Sequence, residues 1–293
     1  MQIESTRRVF LFQGVCAAAG AAIGPFSTTA RNANAPRFEV SLHQKSVELL
    51  FNSGQLDLKR YPKFAKDVLG LSNVEFAVRS CAHLLDNPEK AVEYRKIAED
   101  NGVKIRTLLC GKEPALDAAT AEERKAAIAE CLKWAKVAEH LGCEFLRLRA
   151  SADGDPDKQF EYALETIGAV CKGMESSPVS PLIENTQGCS TDPSWMIDLV
   201  KRIGRKRVGL LADFANFGGD IYEGMKRLLP YTKSLCAKSW EFDAEGYETK
   251  IDYQRMMKII KASKFRGCIA IEYRANEPVE GIRKTAALIR CYS

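Results

Sequence analysis

Residues 127–149 read AIAECLKWAKVAEHLGCEFLRLR, and this stretch decides the fold. Ala127, Cys131, Trp134, Ala138 and Leu141 recur at steps of four, three, four and three, which puts them on one helix face. Lys136, Glu139 and other charges take the outer face. Gly142 follows at once and suits a left-handed C-terminal cap, after which Cys143 opens a strand running to Arg149. The stretch is one helix-to-strand join. Outward from it, short apolar runs centred on Val40, Val74, Ile105, Phe145, Ile183, Leu210, Leu235 and Ile269 lie 25 to 40 residues apart, the size of a βα unit. Eight such units predict an α/β protein, a (β/α)₈ TIM barrel, as a single domain over residues 36–293. The competing open sheet usually carries a Gly-rich phosphate turn after its first strand. Here that position reads Leu42-His43-Gln44-Lys45-Ser46.

A chain of 293 residues, 46% hydrophobic and 28% charged, is neither a disordered polymer nor a small disulfide knot. The net charge of +5 is not gathered into a stripe, because Lys and Arg alternate with Asp and Glu along most of the chain. Nucleic acid is therefore not the expected partner. Residues 1–35 read differently, as an export signal and linker. Arg7-Arg8 precede an Ala-rich apolar run from Val9 to Phe26, followed by Ser27-Thr28-Thr29-Ala30. The Arg pair followed by x-Phe-Leu resembles the twin-arginine motif, which implies a periplasmic protein cleaved after Ala30 or Ala35. The alternative is an uncleaved membrane anchor. Gln13, Gly14, Gly20 and Gly24 interrupt the run, and no later segment approaches the ~20 apolar residues of a span. Ten cysteines without a C-x-x-C spacing, several inside apolar runs, read as mostly buried thiols rather than a metal ribbon or disulfide framework.

Barrel chemistry sits where strands end at their carboxyl side, so the polar residues there are the candidates. Glu184, Asp213 and Glu272 each directly follow an apolar run, on strands five, six and eight. Three carboxylates at one mouth repel, so one is protonated or a cation is shared. A divalent metal held by oxygen ligands, Mn²⁺ or Mg²⁺, satisfies this; pairing with Arg147, Arg149 or Lys238 satisfies it equally. Arg147 and Arg149 alternate in phase around Leu148, so both can face the interior. They would then hold a carboxylate or phosphate of a ligand, or merely neutralise the acids. Glu75 and His43 are candidates for contacts with hydroxyl groups of a ligand, and Trp240 with Phe242 for an apolar wall against a ligand face.

From about residue 37 to 290 the chain resembles the xylose-isomerase-like barrel superfamily of sugar-phosphate isomerases and epimerases. The resemblance rests on Ile183-Glu184-Asn185, Asp213-Phe214-Ala215-Asn216, Ala237-Lys238, Ile251-Asp252-Tyr253 and Ile271-Glu272-Tyr273, in this order and spacing. It implies a metal held by a Glu, an Asp, a His and a second Glu from strands five to eight, with the two Glu also exchanging protons with the substrate carbon. Glu184, Asp213 and Glu272 match three of these ligands, and Asn185 and Asn216 accompany them as substrate contacts. The His is replaced by Cys236, and the chain's three histidines, His43, His83 and His140, lie elsewhere. Either Cys236 ligates as a thiolate, which favours Zn²⁺, or three carboxylates hold a weaker metal, or none binds. The implied function is a sugar or sugar-phosphate isomerase or epimerase acting on a carbohydrate by metal-assisted proton abstraction next to a carbonyl. Lys238 would then sit near the enediolate or pair with Asp213 or Glu272. The alternatives are a lyase or dehydratase on an oxidised sugar, and a non-catalytic sugar-binding barrel. An endonuclease of the same barrel uses a His-rich zinc cluster that three histidines cannot supply.

Overall fold

The computed structural model describes residues 38–111, 116–150 and 154–293. The expected export signal, residues 1–35, lies outside them. The strands are β1 (Glu39–His43), β2 (Asn73–Ala77), β3 (Lys104–Leu109), β4 (Phe145–Arg149), β5 (Ser180–Glu184), β6 (Gly209–Asp213), β7 (Thr232–Ser239) and β8 (Cys268–Tyr273). All pair in parallel and in sequence order, and β8 closes back on β1 through Glu39 opposite Cys268 and Leu42 opposite Ile271. Each apolar run read from the sequence is one of these strands. The helices are α1 (Glu48–Asn52), α2 (Tyr61–Leu69), α3 (Ala91–Asp100), α4 (Ala121–Leu141), α5 (Pro156–Gly173), α6 (Pro193–Ile203), α7 (Ile221–Leu228), α8 (Tyr253–Ala262) and α9 (Pro278–Tyr292).

Local chemistry sets the joins. In α4 the five residues of the apolar face are all buried, and Gly142 caps it at φ 73°, in the left-handed region a side chain disfavours. Thr120 and Glu123 close a capping box at its start. Helices α5 to α8 each begin at an aspartate, Asp155, Asp192, Asp220 and Asp252, whose carboxylate accepts backbone N–H groups of the first turn. Asp252 of the Ile251-Asp252-Tyr253 motif is thus occupied as a helix cap. Its neighbour Tyr253 donates from its hydroxyl to the Lys238 carbonyl at 2.9 Å.

Alternation along the strands then sorts the interior into layers. Ile183, Leu210, Leu235 and Ile269 face the helices and join the main core. Leu182, Leu211 and Cys236 form a separate buried cluster within the barrel, with Phe145 packed against it. One strand step toward the mouth from Leu182 and Leu211, on the same face, come Glu184 and Asp213. The apolar layer is their floor. Seven cysteines, Cys81, Cys110, Cys131, Cys143, Cys171, Cys236 and Cys268, are buried, and no disulfide occurs among the described residues. No helix among the described residues is long and apolar enough to cross a membrane.

Candidate active site

The carboxyl ends of the strands open into a cavity of about 470 Å³, within the range of small-molecule sites. Of the residues singled out from the sequence, His43, Arg147, Arg149, Glu184, Asn216, Lys238, Trp240 and Glu272 line it. Asp213, Cys236 and Asn185 lie just beneath, fully buried. Glu184, Asp213, Cys236 and Glu272 each offer a ligand atom, and these atoms all lie within 4.8 Å of one another. The carboxylates therefore converge rather than splay.

Their charge is shared out by cations. Lys238 Nζ lies 2.9 Å from Asp213 Oδ2 and 3.4 Å from Glu272 Oε2, and donates to Asn216 Oδ1 at 3.0 Å. Burial alone would lower the lysine's pKa, but Asp213 and Glu272 outweigh it and hold the ammonium protonated. Arg147 Nε stands 3.4 Å from Glu184 Oε2, and Arg274 donates to Glu272 Oε1 at 3.1 Å. Burial lifts Glu184 above the usual carboxylate range against the pull of Arg147, and lifts Asp213 against that of Lys238. For Glu272 burial is overcome by His43, Lys238 and Arg274, which hold it below that range. The Cys236 thiol donates to Glu272 Oε2 at 3.4 Å. Burial and the three surrounding carboxylates push its pKa well up.

A reciprocal asparagine clasp fixes the acids. Asn185 accepts from the Asp213 backbone N–H at 2.7 Å and donates to the Asn216 carbonyl at 2.8 Å, while Asn216 donates to the Asn185 carbonyl at 3.0 Å. Asp213 Oδ1 accepts from the backbone N–H of Ala215 at 2.8 Å and of Asn216 at 3.2 Å, leaving Oδ2 for Lys238. Asn185 thus acts by positioning. His43 accepts at Nδ1 from the Lys45 backbone N–H at 3.1 Å, and burial drives its pKa down to about 3. A neutral ring with Nδ1 accepting carries its proton on Nε2, which makes it a donor to the site. Trp240 reaches the cavity from the loop after β7, held by its backbone N–H to Glu248 at 3.1 Å. Phe242 instead stacks on Tyr273 with ring centres 6.3 Å apart.

Glu75 sits apart from the cavity lining, 1% exposed, with Oε2 unpartnered. Burial foremost, opposed by Thr107 and Arg147 and reinforced by Glu184 and Glu272, raises its pKa from 4.5 to about 7. The sign follows from linkage. The folded state holds this proton more tightly, so the stability from the neutral form is full below pH 4.5 and is lost as pH rises to about 7. The loss is on the order of 3 kcal/mol. Glu75→Gln is expected to flatten the stability profile over that window and to be the more stable protein at pH 8. Urea unfolding at pH 4.5, 6 and 8 reads this. Parallel profiles for the two proteins would show that Glu75 is ionised throughout.

Sequence reasoning missed Arg274, Thr186, Gln187 and Arg79 of the lining. Arg274 lies one residue beyond the end of β8 and two after Glu272, so extending the strand's alternation by one step could have found it. Arg79 lies in a single 3-10 turn after β2, and Thr186 and Gln187 lie in the loop after β5, where no period reaches.

A family model, the xylose isomerase-like TIM barrel, matches residues 63–292. The chain belongs to that family. No curated protein matches the sequence. Solved structures match the xylose isomerase-like barrel over most of its length. D-psicose 3-epimerase with D-tagatose, from Clostridium cellulolyticum H10, is 16% identical with a TM-score of 0.69, over 87% of this chain and 98% of that one. The 3-keto-D-glucoside 4-epimerase of E. coli is 11% identical with a TM-score of 0.70, over 87% and 99%. The IolI protein with a bound zinc atom is 14% identical with a TM-score of 0.70, over 87% and 99%. At these identities the likeness is one of fold.

The donor set of this barrel suits one divalent ion. Three carboxylates and a thiol within 4.8 Å are close to the spread of ligands at ~2.0–2.3 Å around one centre. Asp213 Oδ2 is buried, and its charged neighbour is the Lys238 ammonium at 2.9 Å, so a divalent ion would bind there by taking over that place. Lys238 meets the same Asp213 oxygen and a Glu272 oxygen, and is the competing positive charge.

Proposed function

We propose that the protein is a sugar isomerase or epimerase that moves a proton at the carbon beside a carbonyl. One observation carries this reading: acids from β5, β6 and β8 meet within 4.8 Å at the floor of a substrate-sized cavity, with an ammonium between two of them. Removing a proton beside a carbonyl sends the electron pair to oxygen and leaves an enediolate. Its charge needs a fixed positive or hydrogen-bonding partner. Glu184 and Glu272 stand as the proton pair, one taking the proton and the other returning it. Return to the opposite face of the same carbon epimerises, and return to the neighbouring carbon isomerises. Lys238, locked by Asn216 and Asp213, faces the developing oxyanion, and the His43 Nε2–H group donates to a sugar oxygen. A divalent ion bound by Glu184, Asp213, Cys236 and Glu272 would act as a Lewis acid toward that oxyanion. Trp240 offers its ring to a sugar face.

The test is isotopic. Neutral ketoses (D-psicose, D-fructose) and acidic sugars (D-glucuronate, D-ribulose 5-phosphate) are incubated with the protein in D₂O, and label beside the carbonyl is read by NMR. Catalysed uptake into at least one sugar is expected. A sugar that binds by calorimetry, with none of the panel exchanging, would leave a binding barrel and end the enzymatic reading.

A further inference from the structure

The cavity lining is unbalanced in charge. Six cations face it, Lys45, Arg79, Arg147, Arg149, Lys238 and Arg274, against two carboxylates, Glu184 and Glu272. Five of the six have a carboxylate within 4 Å: Glu48 serves both Lys45 and Arg79, Glu184 serves Arg147, and Glu272 serves Lys238 and Arg274. Arg149 has none among the described residues. Its Nε is buried and makes no hydrogen bond, as is that of Arg147 two residues earlier on the same strand face. Burial foremost, with the like charge of Arg147 beside it, works against the Arg149 cation and outweighs the more distant Glu184, Glu272 and Asp117. Arg149 is half-buried, and a partly desolvated guanidinium beside another is better held when an anion completes it; its planar fork of donors fits a carboxylate or phosphate with two parallel bonds.

We propose that the substrate carries an anionic group, a carboxylate or a phosphate, and that Arg149, backed by Arg147, holds it at the end of β4. The proposal rests on the proton-transfer reading of the same cavity and names its substrate class. β4 pairs with β5 so that Arg149 stands opposite Glu184. The anion therefore docks beside the proton-transferring acid, and a substrate gripped there presents a carbon close to its charged end. Arg149 is a binding residue in this scheme and moves no proton.

Isothermal titration calorimetry on the full chain tests it with four probes: D-glucuronate, D-glucose 6-phosphate, inorganic phosphate and D-glucose. The expected result is that at least one anionic sugar binds roughly 10- to 100-fold more tightly than D-glucose, with affinity falling as salt rises. Arg149→Met should erase that preference, and Arg149→Lys should keep part of it, since charge survives without the fork. Preference for D-glucuronate identifies a carboxylate. Preference for D-glucose 6-phosphate, together with binding of inorganic phosphate, identifies a phosphate. D-glucose binding as well as the acids, a preference that survives Arg149→Met, or no binding by any probe each overturns the proposal. The isotopic assay separates the two readings. Exchange in neutral ketoses without preference for acids sinks only the anion, and tight acid binding without exchange sinks only the proton transfer.

Discussion

Glu184→Gln is expected to lower solvent-deuterium uptake and kcat by about 10²- to 10⁴-fold while leaving the barrel folded, because the amide keeps the shape of the carboxylate but cannot carry a proton. The side chain ends β5, is 5% exposed, and meets Arg147 and the other acids at the cavity floor. A buried carboxylate is costly to hold, so the amide is expected to melt at or above the wild-type temperature. Loss of activity without loss of stability is the signature of a group kept for chemistry. A variant retaining more than a tenth of the wild-type exchange rate would move the proton-transfer role to another residue. Elemental analysis of the same variant reads a second role, since a lost ligand weakens retention of a divalent ion.

Lys238→Met carries the largest expected effect on stability. The ammonium bridges Asp213, 0% exposed, and Glu272, 7% exposed, and is the ion-pair partner of Asp213 among the described residues; removing one partner of a buried ion pair costs about 3–5 kcal/mol. The melting point should fall by on the order of 10 °C with chelator present. The loss should shrink when Zn²⁺ or Mn²⁺ is added, because a divalent ion supplies the missing charge to the same oxygens. Adding Asp213→Asn should recover part of the loss, since the buried charge left unpaired is then gone. A Lys238→Met protein that melts within about 2 °C of the wild type in chelator would mean that Arg147 and Arg274 already neutralise the floor.

The fold was legible because each strand and each helix carries its own period. Val40 through Ile269 repeat an apolar run eight times, and in α4 the steps from Ala127 to Leu141 leave one reading. The in-phase placement of Arg147 and Arg149, and the end-of-strand acids, followed from the same two-residue alternation. Alternation gives direction but not depth. Glu75 is separated from the lining because the stagger of neighbouring strands decides how deep each inward residue stands, and one sequence does not print that stagger. Asn185 looked like a substrate contact and is instead consumed by Asp213 and Asn216, a partnership between the residue just after β5 and the end of β6 with its following loop that no local pattern announces. The sharing of Lys238 between two acids from different strands was an open alternative for the same reason.

Glu184, Glu272 and Lys238 all belong to strands, whereas Trp240, Thr186 and Gln187 approach the cavity from the connections that follow them. On the proposed reading the reacting groups and the anion grip of Arg149 are both strand-borne, while the remaining sugar contacts come from loops. Rebuilding the overhanging side chains would then alter the fit to a neutral sugar face while leaving the floor, and the charge preference set by Arg149, in place.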